Sequence, residues 1–266
     1  MTALPLFQID TFTGQVFQGN PAAVCPLEYW LDEAILQAIA QENNLAETAF
    51  FVPQGDGVFQ LRWFTPRYEV DLCGHATLAA AFLIFTELEP TRQSVQFESP
   101  SGPLWVTRRD DGRLALDFPA QPWQACTQPP ALLRQGLDQM PQAIYQVDRD
   151  PNYFAIYEDE DVVRRLQPDL GMLEKLHPYG VVVSAAGREF DCVSRYFAPS
   201  YGIPEDPVTG SIHCALVPYW AEVLGRRRVR AYQASTRGGE LLCEDRAERV
   251  IIAGFAVKYL AGEIFI

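Results

Sequence analysis

A chain of 266 residues allows one large domain or two of about 100–150 residues each, and its 48% hydrophobic content supports a well-buried core and excludes wholesale disorder. The formal charge of −13 argues against a phosphate-backbone partner, so no nucleic acid is expected. Arg226-Arg227-Arg228 is a short basic cluster of the kind that ordinarily lies on a solvated face. Met1 to Leu6 has no basic n-region, and no apolar run approaches the ~20 residues that span a bilayer. No membrane partner is therefore expected, and the expected location is cytoplasmic. Cys25, Cys73, Cys126, Cys192, Cys214 and Cys243 are scattered without a CxxC pair, as buried thiols of a reducing compartment would be.

In chain order, Leu6–Ile9 and Ala22–Cys25 read as strands flanking a loop with Gly14 and Phe17-Gln18-Gly19-Asn20-Pro21. Asp32 is placed to cap a helix whose Ile35, Leu36 and Ile39 share a face and which ends at Asn43-Asn44. Strands follow at Thr48–Val52 and at Val58–Phe64, where Phe59, Leu61 and Trp63 alternate with Val58, Gln60 and Arg62. After an apolar helix come Val95–Phe97, Leu104–Thr107 and Leu114–Phe118, the last two joined by Asp110-Asp111-Gly112. Pro119–Pro130, rich in Pro and Gln, reads as a linker. Beyond it lie strands at Ala143–Val147 and Tyr153–Tyr157, and helical stretches near Asp161–Leu166 and Asp169–Leu176. Strands at Val181–Val183 and Phe190–Phe197 and a helix through Leu224 come next. Four short strands then end at Glu263–Ile266. Strands dominate without sustained βαβ alternation, which favours α+β.

One stretch organises the chain. Glu69-Val70-Asp71-Leu72-Cys73-Gly74-His75 runs into the apolar segment Ala76–Phe85, so a glycine and a histidine stand where an extended segment becomes a helix. The unpaired N–H groups and the dipole of such a helix start suit a small anion. Alone, the stretch also reads as a glycine ending a strand before an ordinary core helix. A second copy separates the readings. Arg62-Trp63-Phe64-Thr65-Pro66 recurs as Arg195-Tyr196-Phe197-Ala198-Pro199, an offset of 195 − 62 = 133. Gly74-His75 recurs as Gly210-Ser211, an offset of 210 − 74 = 136. Each copy leads through an acidic loop to a glycine and an apolar helix, so two like halves are expected, with an anion held between their helix starts.

Glu47 lies where strand alternation places it with Ala49 and Phe51, so desolvation is expected to push its carboxyl towards the range of a general base. A solvated glutamate just past a helix end is the alternative. Asp206 precedes Gly210 and fits either a helix cap or an acid partner. His75 fits either a structural imidazole or a proton carrier. Cys73 beside a helix start reads either as a thiolate or as a packed thiol; no second cysteine occupies the matching place, where Pro207 follows Asp206. Cys73-x-His75 and His213-Cys214 lack metal-ligand spacing, so no metal is expected, and no cofactor fingerprint is present.

Phe17-x-Gly19-Asn20-Pro21-Ala22, Asn44-Leu45-Ala46-Glu47, Phe64-Thr65-Pro66, Gly74-His75 and Tyr201-Gly202-x-x-Glu205-Asp206-x-x-Thr209-Gly210-Ser211 together resemble the PhzF-like isomerases of phenazine biosynthesis, over nearly the whole chain and in order. The resemblance implies a diaminopimelate-epimerase-like α+β fold: two pseudo-symmetric halves, each a curled sheet around a central helix, with the active site in the cleft between them. The expected halves are 1–119 with about 261–266, and 120–260. It further implies that Glu47 shuttles a proton between carbons of a small carboxylate substrate, supported by His75 and Asp206. Gly74, Gly210 and Ser211 would bind the carboxylate, with Asn20, Cys73 and Thr209 also at the substrate. No cofactor and a homodimer are implied. Two departures bear on chemistry: Cys73 stands where related epimerases carry one of two catalytic cysteines, and Ala46 stands where the phenazine enzyme has serine. A racemase or epimerase using Cys73, and a non-catalytic carboxylate-binding protein, are the alternative expectations.

Overall fold

The computed structural model describes residues 2–147 and 151–266. Its chain forms two compact units, Met1–Asp117 with Ile252–Ile266, and Phe118–Ile251. The strands are β1 (Ala3–Thr11), β2 (Asn20–Pro26), β3 (Glu47–Gly55), β4 (Val58–Phe64), β5 (Glu69–Val70), β6 (Ser94–Ser99), β7 (Gly102–Arg108), β8 (Leu114–Pro119), β9 (Trp123–Ala125), β10 (Ala143–Val147), β11 (Asn152–Ile156), β12 (Gly180–Ala186), β13 (Cys192–Ala198), β14 (Ile203–Asp206), β15 (Arg228–Gln233), β16 (Gly239–Asp245), β17 (Arg249–Gly254) and β18 (Ala256–Phe265). The helices are α1 (Glu33–Asn43), α2 (Gly74–Leu83), α3 (Ala131–Gly136), α4 (Glu160–Arg165), α5 (Leu170–Glu174) and α6 (Gly210–Leu224). No helix among the described residues is long and apolar enough to cross a membrane.

In the first unit β1 pairs antiparallel with β2, β2 parallel with β3, β3 antiparallel with β4, β4 parallel with β6 and β6 antiparallel with β7. The second unit repeats the sequence of pairings: β10 with β11 antiparallel, β11 with β12 parallel, β12 with β13 antiparallel, β13 with β15 parallel, β15 with β16 antiparallel. Each parallel step needs a crossover, and one crossover in each unit carries its long apolar helix. The chain runs β4–β5–α2–β6 in one unit and β13–β14–α6–β15 in the other. All of α2 except Phe82 is buried. A helix apolar on every side must be enclosed, and alanines at 79, 80 and 81 let strands approach it closely. In β3, Ala49–Val52 are buried on both faces, which explains their unbroken apolar run.

The duplicated Arg-aromatic-Phe-x-Pro motif has a duplicated structural purpose. Arg62 on β4 donates Nε to Glu69 on β5 at 2.6 Å, and Arg195 on β13 donates Nε to Glu205 on β14 at 2.7 Å. Their guanidinium groups lie 5.1 and 4.8 Å from the rings of Phe64 and Phe197. Each fork thus ties the short strand leading to the helix start back to its neighbour.

Three sequence readings need correction. Ile35 is exposed, and α1 buries Leu36, Ile39 and Ala40 instead, because the residue before Leu36 is turned about 100° away from it. The expected linker contains β9, paired through Trp123 with Val147, and the Trp123 indole packs edge-on to Tyr145 and Tyr219. The last strand is not short: β18 pairs with β1 from Thr11↔Ala256 to Ala3↔Phe265, and the returning segment begins at Ile252.

Candidate active site

In the first unit, backbone register brings separate motifs to one end of the sheet. Asn20 starts β2, and Ala22, two residues on, lies opposite Glu47, the first residue of β3. Asn20 is fully buried, and its carbonyl accepts from the Thr11 hydroxyl at 3.0 Å. Gly19 before it has φ +65°, and a Cβ there would lie 2.0 Å from the Thr11 carbonyl oxygen, so the motif requires glycine. Cys73 occupies the N-cap of α2 in an extended conformation, followed by Gly74 and His75. Its carbonyl accepts from the Thr77 hydroxyl at 2.5 Å.

Glu47 and His75 meet here. Glu47 Oε2 lies 3.1 Å from His75 Nε2, with the side chains only 12% and 5% exposed. The pair has charge proximity but not hydrogen-bond alignment, so each of the two buried atoms lacks a hydrogen-bond partner. On the other side of the ring, Nδ1 lies 3.5 Å from Cys73 Sγ. Burial works against a charged imidazole, but the Glu47 carboxylate facing the ring favours it, and His75 is held well above its ordinary pKa. Burial, reinforced by the Glu47 carboxylate, pushes the Cys73 thiol up, the reverse of an activated nucleophile.

The ligand atoms of Glu47, Cys73 and His75 lie within 4.8 Å of one another, a grouping that sequence spacing did not suggest and that a metal ion could span. Holding one would require the Cys73 thiol and the His75 imidazole both to give up a proton.

In the second unit Asp206 is the last residue of β14, where the turn to α6 begins, and Thr209 is the N-cap of α6, followed by Gly210 and Ser211. The Thr209 hydroxyl donates to Asp206 Oδ2. Gln233, at the end of β15 and fully buried, binds this turn: its Oε1 accepts from the Thr209 N–H at 2.8 Å, and its Nε2 donates to the Asp206 carbonyl at 2.8 Å and to Thr209 Oγ1 at 3.1 Å. Sequence reading missed Gln233, since it lies 24 residues beyond Thr209 in an ordinary strand. His213 Nδ1 donates to the Thr209 carbonyl at 2.7 Å, its Nε2 has no hydrogen-bond partner, and burial lowers its pKa to about 4. Cys73 and Thr209 occupy the same N-cap position, so the counterpart of Cys73 is Thr209 rather than Pro207.

A cavity of about 560 Å³ in the first unit, lined by Leu4, Pro26, Leu27, Tyr29, Phe59 and Leu88 among others, opens at the far ends of β2 and β3. It is walled mainly by apolar side chains and contains none of the candidate site residues.

Two like α+β units, each presenting a polar helix start on an enclosed helix, define the diaminopimelate-epimerase-like class of fold. The family model described as phenazine biosynthesis-like protein matches residues 9–262. The chain is 48% identical to an uncharacterised isomerase of Pseudomonas aeruginosa over 261 residues, covering 98% of each. It is similar to a PhzF family phenazine biosynthesis protein of Enterococcus faecalis, at a TM-score of 0.94 and 42% identity with both chains fully covered. A predicted epimerase of Pseudomonas aeruginosa shares the fold at a TM-score of 0.74 and 20% identity, covering 99% of each chain. This chain belongs to the phenazine biosynthesis-like (PhzF) family.

Proposed function

We propose that this protein is an isomerase that moves a proton between carbons of a small carboxylate substrate, without a metal or an organic cofactor. The observation that carries the reading is the buried Glu47–His75 pair, whose facing atoms lack hydrogen-bond partners beside the start of α2. Buried polar atoms are rarely left so without a reason, and a catalytic role is one such reason. The isomerase named among the relatives is 48% identical over nearly its full length, which supports the same class of reaction here.

In this reading the Glu47 carboxylate, 3.1 Å from the His75 ring, takes a proton from a C–H next to the conjugated carboxylate system. That C–H bond breaks, its electron pair spreads into the conjugated system, and the Glu47 carboxyl so formed, whose proton exchanges with solvent between the two transfers, then gives a proton to a new C–H bond elsewhere on the substrate. Nothing is oxidised or reduced. The N–H groups of Gly210 and Ser211 at the start of α6, with the Ser211 hydroxyl, are assigned to the substrate carboxylate, where they oppose the charge that grows in the transition state. Asp206 and Asn20 are assigned to the substrate's polar substituents. Cys73 is assigned a place against His75 rather than a nucleophile's role, given its raised pKa and a threonine as its counterpart.

The test is solvent-deuterium incorporation into small unsaturated cyclic amino or hydroxy acids, followed by NMR. Label beside the carboxylate system, lost in Glu47→Gln, is expected; exchange surviving in that variant would sink Glu47 as the base. Cys73→Ala should lower the rate only modestly, and collapse would favour the thiol mechanism. A chelator should leave incorporation unchanged. We further assign the protein to the cytoplasm, supported by six cysteines without a disulfide. A homodimer is proposed through the exposed residues of β18, such as Tyr259 and Leu260, and a monomer mass in sedimentation would reverse that assignment.

A further inference from the structure

The turn before α6 is held by a residue remote in sequence and absent from every motif. Gln233 spends all of its hydrogen-bonding capacity, apart from one lone pair on Oε1, on Asp206 and Thr209. Direction matters in this small network. Because Gln233 Nε2 donates to Thr209 Oγ1, the hydroxyl hydrogen of Thr209 is left to point at Asp206 Oδ2. Because Gln233 Oε1 takes the Thr209 N–H, that amide is withdrawn from the donors at the helix start, while those of Gly210 and Ser211 follow it in the first turn. The side chain and the Thr209 and Asp206 groups it touches are buried, so water does not compete readily for these bonds.

We infer that Gln233 is a positioning residue: it fixes the Asp206–Thr209 turn so that Asp206 acts as a hydrogen-bond acceptor and the amides of Gly210 and Ser211 face the substrate carboxylate. The inference rests on the carboxylate assignment made above. Gln233 touches no reacting atom itself, and it acts through Thr209.

Two substitutions separate this role from packing. Gln233→Met is close in shape and removes every hydrogen bond. Gln233→Glu keeps an acceptor for the Thr209 N–H, loses the donors, and offers the Thr209 hydroxyl a second carboxylate to point at. Amide hydrogen exchange is read on the ¹⁵N-labelled full chain. Binding is then read from the Gly210 and Ser211 amide shifts during titration with 2-aminobenzoate, a flat cyclic amino acid.

In Gln233→Met, exchange at the Thr209 amide should rise by roughly tenfold or more while residues 214–224 keep their protection, and the 2-aminobenzoate Kd should rise by about five- to tenfold, as loss of about 1 kcal/mol of hydrogen bonding gives. In Gln233→Glu, protection at Thr209 should persist while binding still weakens. Unchanged exchange and Kd in Gln233→Met would overturn the inference. So would protection lost along all of α6 in both variants, which makes Gln233 a packing residue. Absence of any Gly210 or Ser211 shift in the unmodified protein, with Thr209 still clamped, would instead remove the carboxylate assignment, and the inference with it.

Discussion

The two helix starts share a scaffold and differ in what stands on it. Counting from the paired arginines, Phe50 lies opposite Arg62 and Val183 opposite Arg195, and the residues three places earlier are Glu47 and Gly180. At the N-caps stand Cys73 and Thr209, and one residue past the glycine stand His75 and Ser211. The acid, the thiol and the imidazole of one unit are therefore a glycine, a hydroxyl and a hydroxyl in the other. The room that a side chain at 180 would need is filled: a Cβ there would sit 2.4 Å from the Tyr196 hydroxyl and 2.5 Å from Asn152 Oδ1, which bond each other at 2.9 Å. The acid–imidazole pair stands in one copy only; the other has a helix start with hydroxyls in the matching places.

Replacing the acid should break the contrast most severely. Glu47→Gln is expected to lower deuterium incorporation by about 10²- to 10⁴-fold, the usual reach of a general base, with a much smaller effect on binding. The next effect is on stability. The N-cap carbonyl is held by Thr77 in the first unit and by His213 in the second. The pKa of His213 is depressed to about 4, so the unfolded chain binds its proton first as pH falls. The contribution is present above pH 6.5 and lost on the way down to about 4, a gap corresponding to about 3 kcal/mol. His213→Thr, which copies the first unit, should flatten that window in denaturant titrations at successive pH values. His75 runs the other way: its contribution is full below 6.5 and lost as pH rises through its raised value.

Gly180→Ala comes third. Forcing a methyl against Tyr196 and Asn152 should cost about 1–3 kcal/mol in unfolding free energy. A neutral result would mean that this space is not closed. Ser211→Ala should have the smallest effect, raising the Kd of a carboxylate probe by about two- to tenfold, the share of one hydrogen bond. A loss as large as that of Glu47→Gln would make Ser211 more than a carboxylate contact.

Much of this contrast was legible in the sequence because it is written in local signals. Gly74 and Gly210 each follow an acidic loop and open an apolar run, and Arg62 and Arg195 head the same pentad. Glu47, His75 and Cys73 were candidates individually, yet only the parallel pairing of β2 with β3 and the start of α2 bring them within reach of one another. The match of Glu47 with Gly180 depends on strand register, which a count along the chain does not carry. Gln233 was invisible for a related reason. A glutamine ending a strand carries no sign that its side chain turns inward to a loop 24 residues back. The Ile35 reading failed on a neighbouring residue of equal hydrophobicity, where periodicity alone does not choose the face.

The pairing of β1 with β18 has a consequence for the order of assembly. Ala3 meets Phe265, and Thr2 exchanges backbone hydrogen bonds with Ile266 at 2.7 and 3.0 Å. The second unit is made from one uninterrupted stretch, Phe118–Ile251, whereas the first lacks a strand until residues 256–265 have been synthesised. On the ribosome, the unit whose synthesis starts first is thus completed last. Glu47 and His75 are made before the second unit, but the sheet that carries them waits, with one edge of β1 open, until residues 256–265 have been translated.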